Sequence, residues 1–504
     1  MLHAMNDADQ RQAIVIGSGF GGLAAGIRLA ARGFQVTICE QRDRPGGRAY
    51  VYEQDGFRFD GGPTVITAPW LIEELFTLAG RNPADYLTLR ELDPFYRIFF
   101  HDGASFDYTG DQERMLEEIR KTSVFPSDPA GYLELSQLTE AIFDKGFTEL
   151  ADRAFLSPVD MARIVPDMLR LQSYRSVYGL VSRYIQDDRV RQVLSFHPLL
   201  VGGNPLDTTS IYALIQHLER EWGVWFAMGG TGAVIDALVR LFEELGGRLL
   251  LETQVAGISM NGNRANGAEL ANGEHLAADV IVSNADVRNT WADLVPSQVE
   301  RSVLTRRLDR MRYSMSLVVI YFGTSRTYRD DPANRLAHHN IVLGPRYEEL
   351  LRDIFDRKVL ADDFSLYLHM PTLTDPSLAP PGHEAFYVLA PVPHLGGNVD
   401  WKTTGPRYRD RIMTFLEERY LPGLQASIVS EHMIDPLHFR DVLGSHLGSA
   451  FSLEPVLTQS AWFRQHNRAS EIENLYFVGA GTHPGAGVPG VLSSAKIADA
   501  LIPD

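Results

Sequence analysis

Short apolar runs alternate along this chain with stretches of helical spacing. Residues 13–16 (AIVI) form an uninterrupted apolar run, which predicts a buried strand. Residues 23–31 carry strong helix formers that stop at Gly33, and 35–39 read as a second strand. A helix is predicted over 70–80, and the apolar–turn–apolar stretch 96–108 reads as a hairpin. From residue 111 to about 221 the spacing is helical, as in ERMLEEIRK and AGYLELSQLTEAIFDKGF. Residues 195–205 read as a buried turn and 209–221 as a helix. From residue 233 the alternation returns: a helix (AVIDALVRLFEELGG), a strand (RLLLETQVAGI) and another strand (AADVIVSNAD). Residues 317–322, 364–370 and 385–391 are further strands, with a helix predicted over 406–420. The C-terminus reads as a strand over 475–478, a Gly/Pro loop, and a helix from about Val488.

This pattern predicts an α/β protein of mixed α+β character. A Rossmann-type dinucleotide-binding domain is interrupted by a helical insert and later resumes beside a second, mixed-sheet domain. The expected boundaries are 1–110, 226–290 and 446–504 for the nucleotide-binding parts, 111–225 for the helical insert, and 291–445 for the second domain. The 504 residues are enough for more than one core.

The first unit carries chemistry. Gly17, Gly19 and Gly22 have the G-x-G-x-x-G spacing between predicted strand and helix. That arrangement makes a tight turn, lets a pyrophosphate approach the backbone, and packs helix closely on strand. The helix N-terminus then offers free N–H groups and a positive dipole end to phosphate. Glu40, 18 residues after Gly22, is placed to accept hydrogen bonds from a ribose. Two glycine pairs follow. Gly47 and Arg48 lie in RPGGR, and Gly62, Pro63 and Thr64 lie in FDGGPTVI. Each is either a plain turn or a place where backbone passes a flat ring; behind a dinucleotide fingerprint, flavin contact is the expectation. Val255 falls where this fold touches the adenosine half. The C-terminal loop with Gly479, Gly481 and Gly487 leads into Val488 and Pro489, so a second helix N-terminus is aimed at the ligand.

Charge and composition narrow the partners. The net charge of −17 argues against nucleic acid. The single cysteine, Cys39, excludes an intrachain disulfide and a cysteine metal cluster, and no metal is expected. The polar segment MLHAMNDADQRQ has no apolar leader-like core. The longest uncharged run, 475–495, holds five Gly and two Pro and is no membrane span. Residues 153–183 stand apart, with five Arg, two Asp and many apolar residues. Such a segment lies in a membrane interface, or is a solvated Arg face over ordinary core. The aromatics of WGVWFAMGGTG (222–232) line an apolar pocket or belong to the core.

Taken together these motifs resemble the bacterial-type phytoene desaturases, flavoproteins of carotenoid biosynthesis. The resemblance rests on GSGFGGLAAGIRLAARG (17–33), EQRDRPGGRAYVYE (40–53), FDGGPTVIT (59–67), FSLYLHMPTLTDPSLAP (364–380), VLAPVPHLG (388–396), GSAFSLEPVLTQSAWFRQHNR (448–468) and NLYFVGAGTHPGAGVPGVLSSAK (474–496). It implies FAD as the redox cofactor and a hydrophobic C40 polyene, 15-cis-phytoene, as substrate. It implies stepwise dehydrogenation to lycopene or neurosporene by hydride transfer to the flavin and loss of a proton. It further implies a peripheral enzyme on the cytoplasmic side of the cell membrane, reoxidised by O₂ or a quinone, with its oligomeric state left open. Rival readings are an amine or protoporphyrinogen oxidase, a carotenoid isomerase, and a non-enzymatic prenyl-lipid carrier on the same fold.

For the proton, the candidate base is Asp160 with Arg163 one helical turn on, and a surface ion pair is the competing reading. Glu221, His197 and His369 are lesser candidates.

Overall fold

The computed structural model describes residues 10–296 and 302–504. Residues 1–9, part of the polar segment without a leader-like core, lie outside the described residues.

Strands from three distant stretches build a five-stranded parallel sheet. The order is Leu475–Phe477, Val280–Ser283, Gln12–Ile16, Gln35–Cys39, Arg248–Leu250. Helices cover it, so its central strands are buried and read as unbroken apolar runs. Helix Phe20–Ala31 packs against both the C-terminal helix Val488–Leu501 and helix Thr231–Glu244. This brings the N-terminal fingerprint against the C-terminal loop: a Cβ added at Gly21 would stand 3.1 Å from Gly479 N.

A second sheet of seven strands follows the order Ile428–Ile434, Ser316–Thr324, Glu384–Val392, Leu366–His369, His339–Val342, Tyr96–Phe99, Ser105–Tyr108. All its pairings are antiparallel except that of His339–Val342 with Tyr96–Phe99. The period of two is visible in Ser316–Thr324. Leu317, Val319 and Tyr321 enter one core, while Val318, Ile320 and Phe322 enter another with helix Trp401–Arg419. Both faces are buried, which is why this strand is apolar at every second position and at the ones between.

Two sequence expectations differ from the structure, and two strands of the second sheet carry none. The hairpin over 96–108 forms, but it joins the second sheet and not the nucleotide-binding part expected over 1–110, because a period-two pattern identifies a hairpin and not its neighbour. The stretch 248–258 is two strands in two different sheets, broken at a turn where Glu252 has φ +50°. His339–Val342 and Ile428–Ile434 are strands without a clear sequence signal: the first opens with His and Asn, and the second is a partly exposed edge strand with little alternation.

Candidate cofactor groove and apolar cavity

Where the two sheets meet, a cavity of about 770 Å³ runs from the fingerprint to the buried face of the second sheet. That lies within the range of roughly 300–1,000 Å³ for small-molecule sites.

At one end the walls are backbone. Gly17 turns at φ +91° and its N–H donates to Cys39 O at 2.8 Å. The helix begins at Phe20, ahead of the start read from sequence, with Gly19 as its cap. A Cβ at Gly22 would stand 1.9 Å from Gly17 O, so the helix can approach the strand only with glycine there. Gly22 thus shapes the turn from behind, while Gly17 and Gly19 line the cavity. Glu40 is buried at the end of its strand. One carboxylate oxygen accepts from Ser18 N–H (2.9 Å) and Ser18 Oγ (2.7 Å), and the other from Arg42 N–H (3.0 Å). Gly47, Arg48, Gly62, Pro63, Thr64, Val255, Gly479, Gly487, Val488 and Pro489 all line the same cavity. Gly481 does not; a Cβ there would collide with Val287 and Ser452, so it serves the packing of the loop.

Several buried groups fit an anionic, polar, flat ligand. Arg48 donates to Ser445 Oγ at 2.7 Å, but its buried Nε has no hydrogen-bond partner. Arg464, 1% exposed, donates from Nη2 to Leu453 O (3.0 Å) and Ala480 O (2.7 Å), leaving Nε and Nη1 without partners. Burial pulls its guanidinium below the usual arginine range. Sequence reading missed Arg464, because nothing local marks it; only the fold brings it to the C-terminal loop beside Gly485. The N-terminus of helix Val488–Leu501 opens into the cavity from the same side. A dinucleotide with a ring system matches what lines the cavity: Arg48 with its unpartnered Nε, two helix N-termini and a glycine cradle, while Arg464 stands behind Gly485 and outside the lining.

Away from the groove the walls become apolar. Met315, Leu317, Val319, Ile341, Leu343 and Leu389 come from the second sheet and its margin, and Met161, Ile164 and Met168 from helix Pro158–Arg170. Polar atoms here hydrogen-bond to one another, though His339 Nε2 and His369 Nδ1 are buried without a partner. Thr64 Oγ1 lies 2.7 Å from Tyr387 OH and 3.0 Å from Tyr367 OH, and Tyr367 OH lies 2.6 Å from His339 Nδ1. His338, His339 and His369 cluster behind, with His338 Nε2 and His369 Nε2 2.9 Å apart. Burial lowers all three imidazoles, His338 to about 3, so they stand neutral. Beside the same cluster, with its ring centroid 5.9 Å from that of His339, Tyr96 donates its OH to Glu219 at 2.7 Å, and Glu219 lies 3.1 Å from His197 Nε2.

The structure does not bring Asp160 and Arg163 to the cavity wall. Asp160 is the third residue of helix Pro158–Arg170 and completes a capping box. Its carboxylate accepts from Ser157 N–H (3.0 Å) and Ser157 Oγ (2.8 Å), and Arg163 approaches it to 3.7 Å. The Ser157 hydroxyl, above all, holds this carboxyl below its usual range and weakens it as a base. Glu221 is exposed. Leu214, Ile215, Leu218 and Glu219 share the cavity face of helix Leu214–Trp222, and residue 221 lies about 200° around from 219. His197 and His369 are both buried, in the networks just described.

Comparison with known proteins agrees with this geometry. The family model described as flavin containing amine oxidoreductase matches residues 20–502. A phytoene desaturase (lycopene-forming) of Pseudescherichia vulneris is 52% identical over 98% of this chain and 99% of its own. A phytoene desaturase (neurosporene-forming) of Rhodobacter capsulatus is 41% identical over 99% of this chain and 95% of its own. Among solved structures, putrescine oxidase superposes with a TM-score of 0.63 at 15% identity, covering 97% of this chain and 98% of that one. That likeness establishes the fold alone.

Proposed function

Because this chain belongs to the phytoene desaturases within the flavin-containing amine oxidoreductases, it is an FAD-dependent oxidoreductase, and we propose that it desaturates phytoene stepwise to lycopene through a membrane-facing mouth. The observation that carries this reading is the continuity of one cavity from a phosphate-binding cradle to an apolar chamber.

In this reading the turn Gly17–Gly19 and the N-terminus of helix Phe20–Ala31 hold the pyrophosphate, Glu40 the ribose, and Val255 flanks the adenosine. Gly47, Arg48, Gly62 to Thr64 and the loop 479–489 enclose the ring end. Bound FAD supplies a two-electron hydride acceptor. The second sheet supplies a water-poor wall that holds a hydrocarbon without polar contacts, each buried CH₂ contributing about 0.8 kcal/mol. The neutral histidines and the Thr64–Tyr367–Tyr387 network keep that wall free of unpaired charge.

Helix Pro158–Arg170 supports a membrane-facing mouth. Its inner residues Met161, Ile164 and Met168 line the cavity, while Val159, Val165 and Leu169 are exposed beside Arg163 and Arg170. It packs on the turn Ala461–Phe463, where Trp462 and Phe463 share a shallow groove with Arg307 and Arg310. Apolar side chains interleaved with arginines suit the headgroup layer of an anionic bilayer. No helix among the described residues is long and apolar enough to cross a membrane.

The test is anaerobic incubation of the FAD-loaded protein with phytoene in anionic liposomes. Bleaching of the oxidised flavin together with red-shifted polyene bands is expected. A cis-to-trans change without bleaching would point to an isomerase, and no spectral change to another substrate of the superfamily.

A further inference from the structure

Each desaturation also releases a proton, inside a cavity whose walls are mostly hydrocarbon. We propose that the carboxylate of Glu219 accepts it. This deepens the function proposed above and rests on it.

The acceptor must line the apolar part of the cavity and keep a lone pair that no cation holds. Among the described lining residues the acidic side chains are few. Glu40 closes the fingerprint turn, and Asp286 caps the short helix Val287–Asn289 beside Arg48. Asp293 is exposed, and Asp167 is ion-paired with Lys145 at 2.8 Å. Asp160 is outside the lining and committed to its cap. His483 lines the cavity, but burial lowers it to about 3, and its Nε2 is engaged with Arg153 O at 3.1 Å.

Glu219 meets the requirement. Its side chain has no solvent exposure, and it stands on the cavity face of helix Leu214–Trp222 together with Ile215 and Leu218. Tyr96 OH holds one oxygen at 2.7 Å, and His197 Nε2 lies 3.1 Å from the other. Those two contacts offset part of the cost of burying the carboxylate and fix its direction, and each oxygen keeps a further lone pair. Its ion-pair partner is a histidine, not an arginine or lysine.

The step balances as follows. One allylic C–H bond breaks with both electrons leaving as hydride to oxidised flavin, which is reduced by two electrons. The neighbouring C–H bond breaks, its electron pair becomes the new C=C bond, and its proton forms an O–H bond on Glu219. Before the next desaturation the acid hands that proton on through its contact with His197 Nε2, 3.1 Å away, which leaves the carboxylate free again.

The experiment follows anaerobic flavin reduction by phytoene in liposomes, with infrared difference spectra, for wild type, Glu219→Gln, Glu219→Asp and Asp160→Asn. Glu219→Gln keeps the shape and is expected to retain FAD while flavin reduction slows about 10²- to 10⁴-fold, the usual worth of a general base. Glu219→Asp should recover part of that loss, and Asp160→Asn should stay within a few-fold of wild type. In wild type a carboxylic-acid carbonyl band should grow with flavin reduction. It should shift when glutamate, but not aspartate, carries ¹³C in its side-chain carboxyl. This labelling needs no variant, so it decides the matter even if Glu219→Gln misfolds. Rapid flavin reduction by Glu219→Gln, or a band unmoved by labelled glutamate, overturns the proposal. If wild-type flavin is not reduced by phytoene at all, the desaturase reading falls and takes the proposal with it.

Discussion

The two halves of the cavity are built on opposite principles. The cofactor half is mostly backbone: turns, helix ends and glycines grouped in a few short motifs, at 17–22, 46–48, 61–64 and 479–489. The substrate half is side chains delivered by strands far apart in sequence, such as Leu317, Ile341 and Leu389. Backbone sites need particular residues at particular spacings, so a motif records them. A side-chain wall needs only volume and apolarity from each contributor, and many residues satisfy that. The difference predicts that the halves fail separately, the first through loss of FAD and the second through loss of turnover with FAD in place.

Gly19→Val is expected to have the largest effect. Its Cβ would sit 3.0 Å from Asn284 Nδ2 and project where phosphate must approach. Flavin retained after desalting should fall below about a tenth of wild type, a loss above ~1.4 kcal/mol. Full flavin content would break the backbone side of the comparison.

Leu389→Trp attacks the other half. Leu389 pairs with Val319 and Tyr367 across the second sheet and faces the cavity. Desaturation should slow about tenfold or more, equivalent to ~1.4 kcal/mol, while flavin content stays normal. Loss of flavin in this variant would show that the halves are not separable.

Val165→Asp combined with Leu169→Asp sharpens the comparison at the mouth. These side chains are 42% and 61% exposed. Losing their burial in lipid, about 1.5 kcal/mol or more for each side chain if fully inserted, should cut sedimentation with anionic liposomes roughly tenfold. Flavin content and the reduction of flavin by dithionite should be unchanged.

The smallest effect concerns pH. Burial lowers His338 and His483 to about 3, His394 and His438 to about 4, and His339 and His369 well below the usual range. These folded-state values lie below the unfolded value, so the unfolded chain binds more protons. Their contribution is present at neutral pH and is lost progressively as pH falls from about 6.5 toward the folded values of about 4 and 3, by at most ~1.4 kcal/mol per pH unit for each histidine. Asp60, raised to about 6 by burial, and Glu454, raised to about 7, act in the opposite sense. The histidines outnumber them, so the unfolding temperature should drop between pH 7 and pH 5. His338→Gln should flatten that slope without changing flavin content, since it touches only the substrate half.

The candidate base shows why one half was harder to read. Asp160 and Glu219 are both helical acids near apolar residues. From sequence, Asp160 stands out because Arg163 follows it, yet that neighbourhood belongs to a helix cap. Glu219 sits among LEREW with two other charged residues and looks like solvated surface. What distinguishes it is Tyr96 and His197, brought from 123 and 22 residues away.

By itself the sequence determined the fingerprint turn, the parallel strands around it, the C-terminal loop and the family, because each depends on local steric rules that tolerate few residues. Only the tertiary structure decided which charged groups are buried and which strands form the chamber wall. Burial and electrostatic partnership depend on residues that meet only when the second sheet closes over the insert.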